Sequence, residues 1–104
     1  MFLRMRQKRI AEEYLDFLRR KPCALCGELG ASPHHLVSRG WREPRRDDFL
    51  CVPTCSRCHR EIHAAGLVSA LRRHGMAVKD LVIVVTDLIV EYFDERDLRA
   101  AAPF

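Results

Sequence analysis

Long hydrophobic runs are missing from this chain. The longest apolar stretch, Leu81 to Thr86, is far shorter than the ~20 residues a membrane helix needs, so no bilayer span is expected. The basic opening Met1 to Arg9 leads into Ala-Glu-Glu-Tyr rather than into an apolar export core, which predicts a cytoplasmic protein. There is no internal repeat and no low-complexity segment. A total of 104 residues leaves no room for two ordinary domains. Disorder of the whole chain is excluded from the other side, because 48% of the residues are hydrophobic and the net charge is only +4.

Charge is present but unevenly placed. Residues 1–22 carry seven Lys or Arg against three acids, residues 23–75 eight against five, and residues 76–104 three against six. The basic excess therefore sits in the first three quarters of the chain, where a polyanion would dock.

Five cysteines occur, and four of them form two Cys-x2-Cys pairs, Cys23/Cys26 and Cys55/Cys58. In a reducing compartment such pairs supply the four soft ligands of a closed tetrahedral zinc site rather than disulfides. Gly27 after the first pair suits a knuckle turn that needs positive φ. The second pair runs into His59-Arg60-Glu61-Ile62-His63, which predicts a helix closed by Gly66. Cys55-x2-Cys58-His59 also matches a c-type haem signature, but haem attachment leaves Cys23 and Cys26 unexplained. Cys51 reads as a small buried apolar residue.

His59 and His63 are four residues apart and so share one helix face, where both can bind one ion. His34 and His35 lie in a β-leaning stretch in which neighbours point to opposite sides, so one can ligate while the other acts as a base. Two separate metal sites are geometrically possible. The plain reading of any one of these residues is a surface imidazole or, for His59, a ligand of the structural zinc; the four together favour a site.

The blocks Cys23-x2-Cys26-Gly27, Pro33-His34-His35-Leu36 and Val52-Pro53-x-Cys55-x2-Cys58-His59-x3-His63 resemble the HNH nuclease family, in its four-cysteine zinc subgroup from bacteria and phages. The resemblance covers Pro22 to about Gly66. It implies an α+β fold: a small ββα-metal, treble-clef-like zinc unit with strands near 34–39 and 48–53 and a helix over 56–65. By family position His35 corresponds to the general base, and His34, His59 and His63 to the ligands of a catalytic divalent ion. Cys23, Cys26, Cys55 and Cys58 correspond to the structural Zn2+ ligands. The implied function is metal-dependent hydrolysis of DNA phosphodiester bonds; the alternative is a zinc-stapled nucleic-acid-binding module without catalysis. The family's middle Asn falls at Leu50, a departure from the name-giving pattern, and Asp48 is the nearest polar group able to fix the tautomer of His35. A variant phage-type subgroup is similar in carrying Asp-x4-Pro-x-Cys, matched by Asp48, Pro53 and Cys55. The plain reading of Asp48 is a turn cap.

The chemistry suits these groups. An imidazole, with an ordinary pKa of about 6.5, takes a water proton near neutral pH. The catalytic ion is one of Mg2+, Mn2+, Ni2+ or Zn2+, and three imidazoles favour the softer ions over Mg2+. Between the histidine blocks, Arg39, Trp41, Arg42, Arg45 and Arg46 form a basic loop around one aromatic ring, suited to phosphate contact and base stacking. Arg57 and Arg60 are weaker phosphate candidates.

As a single domain, the chain divides into a basic amphipathic helix (1–21, with apolar residues from Leu3 to Leu18), the zinc-stapled core (22–66) and a helical extension (67–104). Within the extension, Leu67 to His74 reads as a helix stopped by Gly75. From Asp80 to about Arg99 a β-branched run competes with helical spacing, and length favours a helix.

Overall fold

The structure, a computed structural model, describes residues 2–36 and 48–101, and the side chains of residues 8–36 and 48–100. Its elements are α1 (Phe2–Arg19), β1 (Ser32–His35), β2 (Cys51–Thr54), α2 (Ser56–Ala65), α3 (Leu67–Arg73) and α4 (Val78–Ala101). The described residues thus form a small α+β fold with a two-stranded antiparallel sheet and four helices. Among the described residues no helix is long and apolar enough to cross a membrane.

The strands correct the sequence expectation. β1 begins two residues earlier than 34 and β2 three residues later than 48, with Pro33 opposite Pro53, His34 opposite Val52 and His35 opposite Cys51. Proline ordinarily argues against a strand because it cannot donate to the ladder. Among the described residues each strand has one strand neighbour, and the Pro53 carbonyl accepts from the Ala24 amide at 2.8 Å, which docks the first cysteine turn onto β2. The ladder continues one step with Leu36 N–H donating to the Leu50 carbonyl at 2.8 Å. Residues 37–39 of the expected first strand lie outside the described residues.

Two apolar clusters meet on α4. Tyr14, Phe17 and Leu18 come from one face of α1 and pack with Cys51, Leu88 and Tyr92. Tyr14 is fully buried, with its ring 4.8 Å from that of Phe49 and 5.3 Å from that of Tyr92. Burial, with a smaller contribution from Cys51, pushes its hydroxyl up to about 12. The second cluster joins Cys23, Leu25, Val52, Cys55, Cys58 and Ile62 to Ala70, Leu71, Leu81 and Val85. Leu81 and Val85 in one cluster and Leu88 and Tyr92 in the other follow the 3–4 spacing of one helical stripe, so burial resolves the β-branched run as helix. The Tyr92 hydroxyl donates to Glu13 at 2.9 Å and Lys21 pairs with Glu91, which fasten α1 to α4.

The connection between α2 and α3 is a single residue. Gly66, at φ 88°, donates to the Ile62 carbonyl at 2.8 Å and ends α2, while its own carbonyl accepts from Ala70 at 3.0 Å and starts α3. A side chain at that φ is strained, so glycine is what permits two helices to follow each other without a loop.

Candidate metal centres

The knuckle and the start of α2 bring four sulfurs together. Cys23, Cys26, Cys55 and Cys58 place their Sγ atoms within 4.8 Å of one another, with Cys26 and Cys55 at 3.6 Å. Four thiolates around an ion at ~2.3 Å are separated by about 3.8 Å, so the group fits a tetrahedral metal such as zinc. The turn is set by Gly27, φ 81°, whose amide donates to the Cys23 carbonyl at 2.9 Å. Cys55 serves as N-cap of α2, its sulfur accepting from the Cys58 amide at 3.4 Å.

The electrostatics of the four are those of a cation site. Burial opposes ionisation of Cys23, but the backbone amides of Cys55, Cys26 and Leu25 point at its sulfur and hold the thiol at about 6. Burial first, and then the three neighbouring sulfurs, push Cys58 strongly upward. One thiolate is prepared and the next is penalised, which a bound divalent ion relieves. Arg57, a phosphate candidate by sequence, is turned instead toward this cluster. Its guanidinium donates to Cys26 and lies 3.4 Å from Glu28 Oε1.

A second group gathers on the other side of α2. His34, His59 and His63 bring one ring nitrogen each within 4.8 Å of the others, and the rings of His34 and His59 meet edge to face at 4.7 Å. The antiparallel register explains the encounter: His34 shares its face of the hairpin with Val52 and Thr54, and that face looks onto α2. Thr54, fully buried, has its hydroxyl 3.4 Å from His59 Nδ1, within reach of a hydrogen bond that holds the ring with Nε2 toward His63. His59 Nε2 and His63 Nε2 stand 2.9 Å apart. Either ring can donate to the other at that distance, and with both Nε2 lone pairs turned inward the three imidazoles offer a donor set that fits a divalent ion. Burial, then the charges of His59, His63 and His35, lowers His34 to about 4. Burial and His63 lower His59 as well. Neutral imidazoles are the form that binds metal.

His35 points the other way. Its Nε2 lies 2.7 Å from Asp48 Oδ1, with the two side chains 21% and 32% exposed. Nε2–H donates to the carboxylate, which leaves the Nδ1 lone pair available to a proton in a position water can reach. Asp48 therefore stands against His35, the contact considered from sequence beside the turn-cap reading. Arg39, Trp41, Arg42, Arg45 and Arg46 lie outside the described residues.

Two contributors were not found by sequence reasoning. Thr54 is one; a threonine between Pro53 and Cys55 gives no signal until the strand register aims it at α2. The other is the pair Glu61 and His74. His74 Nε2 lies 3.9 Å from Cys58 Sγ and 3.4 Å from Glu61 Oε2, so the end of α3 is tied to the thiol cluster. Cys58 and Glu61, one helical turn apart, were a usable signal; the arrival of His74 depends on the Gly66 corner.

Two expected results arise here. Thr54→Val removes the hydrogen-bonding partner that orients the His59 ring and should weaken Mn2+ or Ni2+ binding at the imidazole group about 10–100-fold, measured by calorimetry, with the thiol site still loaded. The lowered His34 pKa gives the other. Between about 6.5 and about 4 the unfolded chain binds a proton at this residue that the folded chain does not, so stability of protein free of metal at the imidazole group falls as pH falls through that window. His34→Gln should flatten the dependence of Tm on pH there, and an unchanged slope would contradict the burial of a neutral imidazole.

Fold and site together define a small α+β protein with two separate ligand clusters, one of thiols and one of imidazoles, on either side of one helix. The chain belongs to the family described as "Protein of unknown function (DUF968)", whose model matches residues 1–88. It is similar to the "Uncharacterized protein YdfU" of Escherichia coli (strain K12), 32% identical over 65 residues, a match covering 61% of this chain and 19% of that protein. The chain thus matches about a fifth of that relative's length. No solved structure matches the chain.

Proposed function

We propose that this protein is a metal-dependent DNA endonuclease of the HNH type. Its hairpin and α2 serve as the ββα-metal unit, and its four cysteines hold a structural zinc in a treble-clef-like arrangement. The observation that carries the reading is the convergence of the His34, His59 and His63 ring nitrogens within 4.8 Å, with His35 next in the strand and held through Nε2 by Asp48. That is a base and an open cation site on adjacent residues, which is the minimum that phosphodiester hydrolysis needs.

In this reading His35 Nδ1 accepts the proton of the attacking water. Asp48 keeps the hydrogen on Nε2 and stabilises the imidazolium that forms. His34, His59 and His63 would hold a divalent ion, which would supply charge neutralisation at the phosphoryl and leaving oxygens. Thr54 holds the ring of His59 in place for that ion, and the exposed position of His63 leaves the site open to a large polyanion. The four arginines Arg39, Arg42, Arg45 and Arg46 are assigned phosphate contacts and Trp41 base stacking on sequence grounds, contacts that give position with little sequence information.

The alternative is a zinc-stapled nucleic-acid-binding module without catalysis, and Leu50 at the family's Asn position is what favours it. Incubating the purified protein with supercoiled plasmid and Mn2+, Ni2+, Mg2+ or EDTA separates the two. Conversion to nicked circles with metal and none with EDTA is expected; retarded but intact plasmid under all four conditions selects the binding module.

A further inference from the structure

α4 is apolar on two sides. Leu81, Val85, Leu88 and Tyr92 are buried against the rest of the fold, yet Ile83 and Val90 are 57% and 53% exposed on the opposite side, with Val82, 59% exposed, on the flank. A helix with apolar residues all round is ordinarily covered all round. Ile83 and Val90, with Val82 beside them, leave β-branched side chains uncovered on a helix face, which a partner can bury.

The order of residues along the exposed side says what covers it. At ~100° per residue, Lys79, Ile83, Thr86, Val90 and Asp94 fall within an arc of about 80° and are spaced nearly as the seam of a two-stranded coiled coil. The stripe reads cation, apolar, polar, apolar, anion. Turned end for end it is its own complement: with Ile83 opposite Val90 of a second copy, Lys79 falls opposite Asp94 of that copy, and the reverse pairs follow by symmetry. An isologous two-fold interface requires this reciprocity. A parallel pair would set Lys79 on Lys79 and Asp94 on Asp94, so charge selects the antiparallel arrangement. Lys79 and Asp94 are both exposed and form no ion pair among the described residues.

We infer that two copies of this chain associate through antiparallel α4 helices, with Ile83 and Val90 forming the seam and Lys79 of each copy paired with Asp94 of the other. Thr86 sits near the two-fold axis, where its hydroxyl is already satisfied by the Val82 carbonyl at 2.8 Å and adds no unpaired polar group. The assembly carries two imidazole clusters.

The test is the mass of the zinc-loaded 104-residue chain by sedimentation equilibrium from low to high micromolar concentration. A monomer–dimer equilibrium is expected. Lys79→Glu and Asp94→Lys should each weaken it about tenfold or more, because both cross pairs become repulsive. An equimolar mixture of the two variants should recover the wild-type affinity, since each cross pair again joins opposite charges. Ile83→Glu, on a solvent-facing position that leaves the helical circular dichroism unchanged, should give monomer. A mass of one chain throughout the range for the wild type, a dimer indifferent to the charge reversals, or no recovery in the mixture would overturn the inference. A monomer that binds a different protein through this face is one such result.

Discussion

His35→Ala is expected to lower metal-dependent plasmid nicking by about three orders of magnitude, within the range that general-base catalysis contributes. Zinc content and helical circular dichroism should stay at the wild-type level. The side chain is only partly buried and stands opposite Cys51 in the ladder, so its truncation should trim contacts there without emptying either apolar cluster. It also lies outside the groups whose nitrogens and sulfurs converge, so ion binding should persist. Asp48→Asn gives a graded version of the same experiment. The amide keeps the shape but no longer stabilises a charged imidazole, and a loss of one to two orders of magnitude is expected, read in the turnover rate rather than in KM. Nicking by the His35 variant at the wild-type rate would remove His35 from the mechanism.

Cys58→Ser is expected to have the largest effect on stability. Cys58 is fully buried, takes part in the thiol group, and sits in α2 against Ile62 and Val52. Structural zinc in small domains contributes about 10–16 kcal/mol of apparent binding free energy, which rivals the whole stability of ~5–15 kcal/mol expected for a folded domain. Its loss should leave the hairpin, α2 and α3 unable to hold together, with the helical signal reduced and no cooperative thermal transition. Cys51→Ala is the control. Cys51 is as buried as Cys58 but belongs to the cluster of Tyr14 and Tyr92, so that variant should keep one zinc per chain and unfold cooperatively at a modestly lower temperature. A cooperative, zinc-free Cys58→Ser protein would show that the apolar clusters suffice without the metal. The contact of His74 with Cys58 predicts that zinc loss also loosens the start of α4, seen as faster amide exchange beyond Gly75.

These effects were legible in the sequence to different degrees. Spacing within one element read well: the cysteine pairs, His59 with His63, and the apolar stripe of α1 depend on three or four residues and a known periodicity. The glycine stops read well because positive φ is a local demand, met at Gly27 and Gly66. The β-branched run in α4 was ambiguous locally and was decided by burial, which places Leu81 and Val85 in one cluster and Leu88 and Tyr92 in the other. The strands were misplaced by two or three residues, because the family resemblance set their bounds and the bond from Ala24 to the Pro53 carbonyl has no sequence signal. Thr54 and the pair Glu61 and His74 escaped for the same reason. Their roles come from register and from the Gly66 corner, which bring together residues that are unremarkable in their own segments.

The central claim is that one helix separates a zinc that holds the fold from an ion that does the chemistry. Counting metal per chain by mass spectrometry, alongside plasmid nicking, on the wild type and on a His34→Ala, His63→Ala double variant tests it most directly. The account predicts two bound ions and nicking for the wild type in Mn2+, and one zinc, a native thermal transition and no nicking for the double variant. A double variant that still nicks, or that loses its zinc and its fold along with its activity, would contradict it.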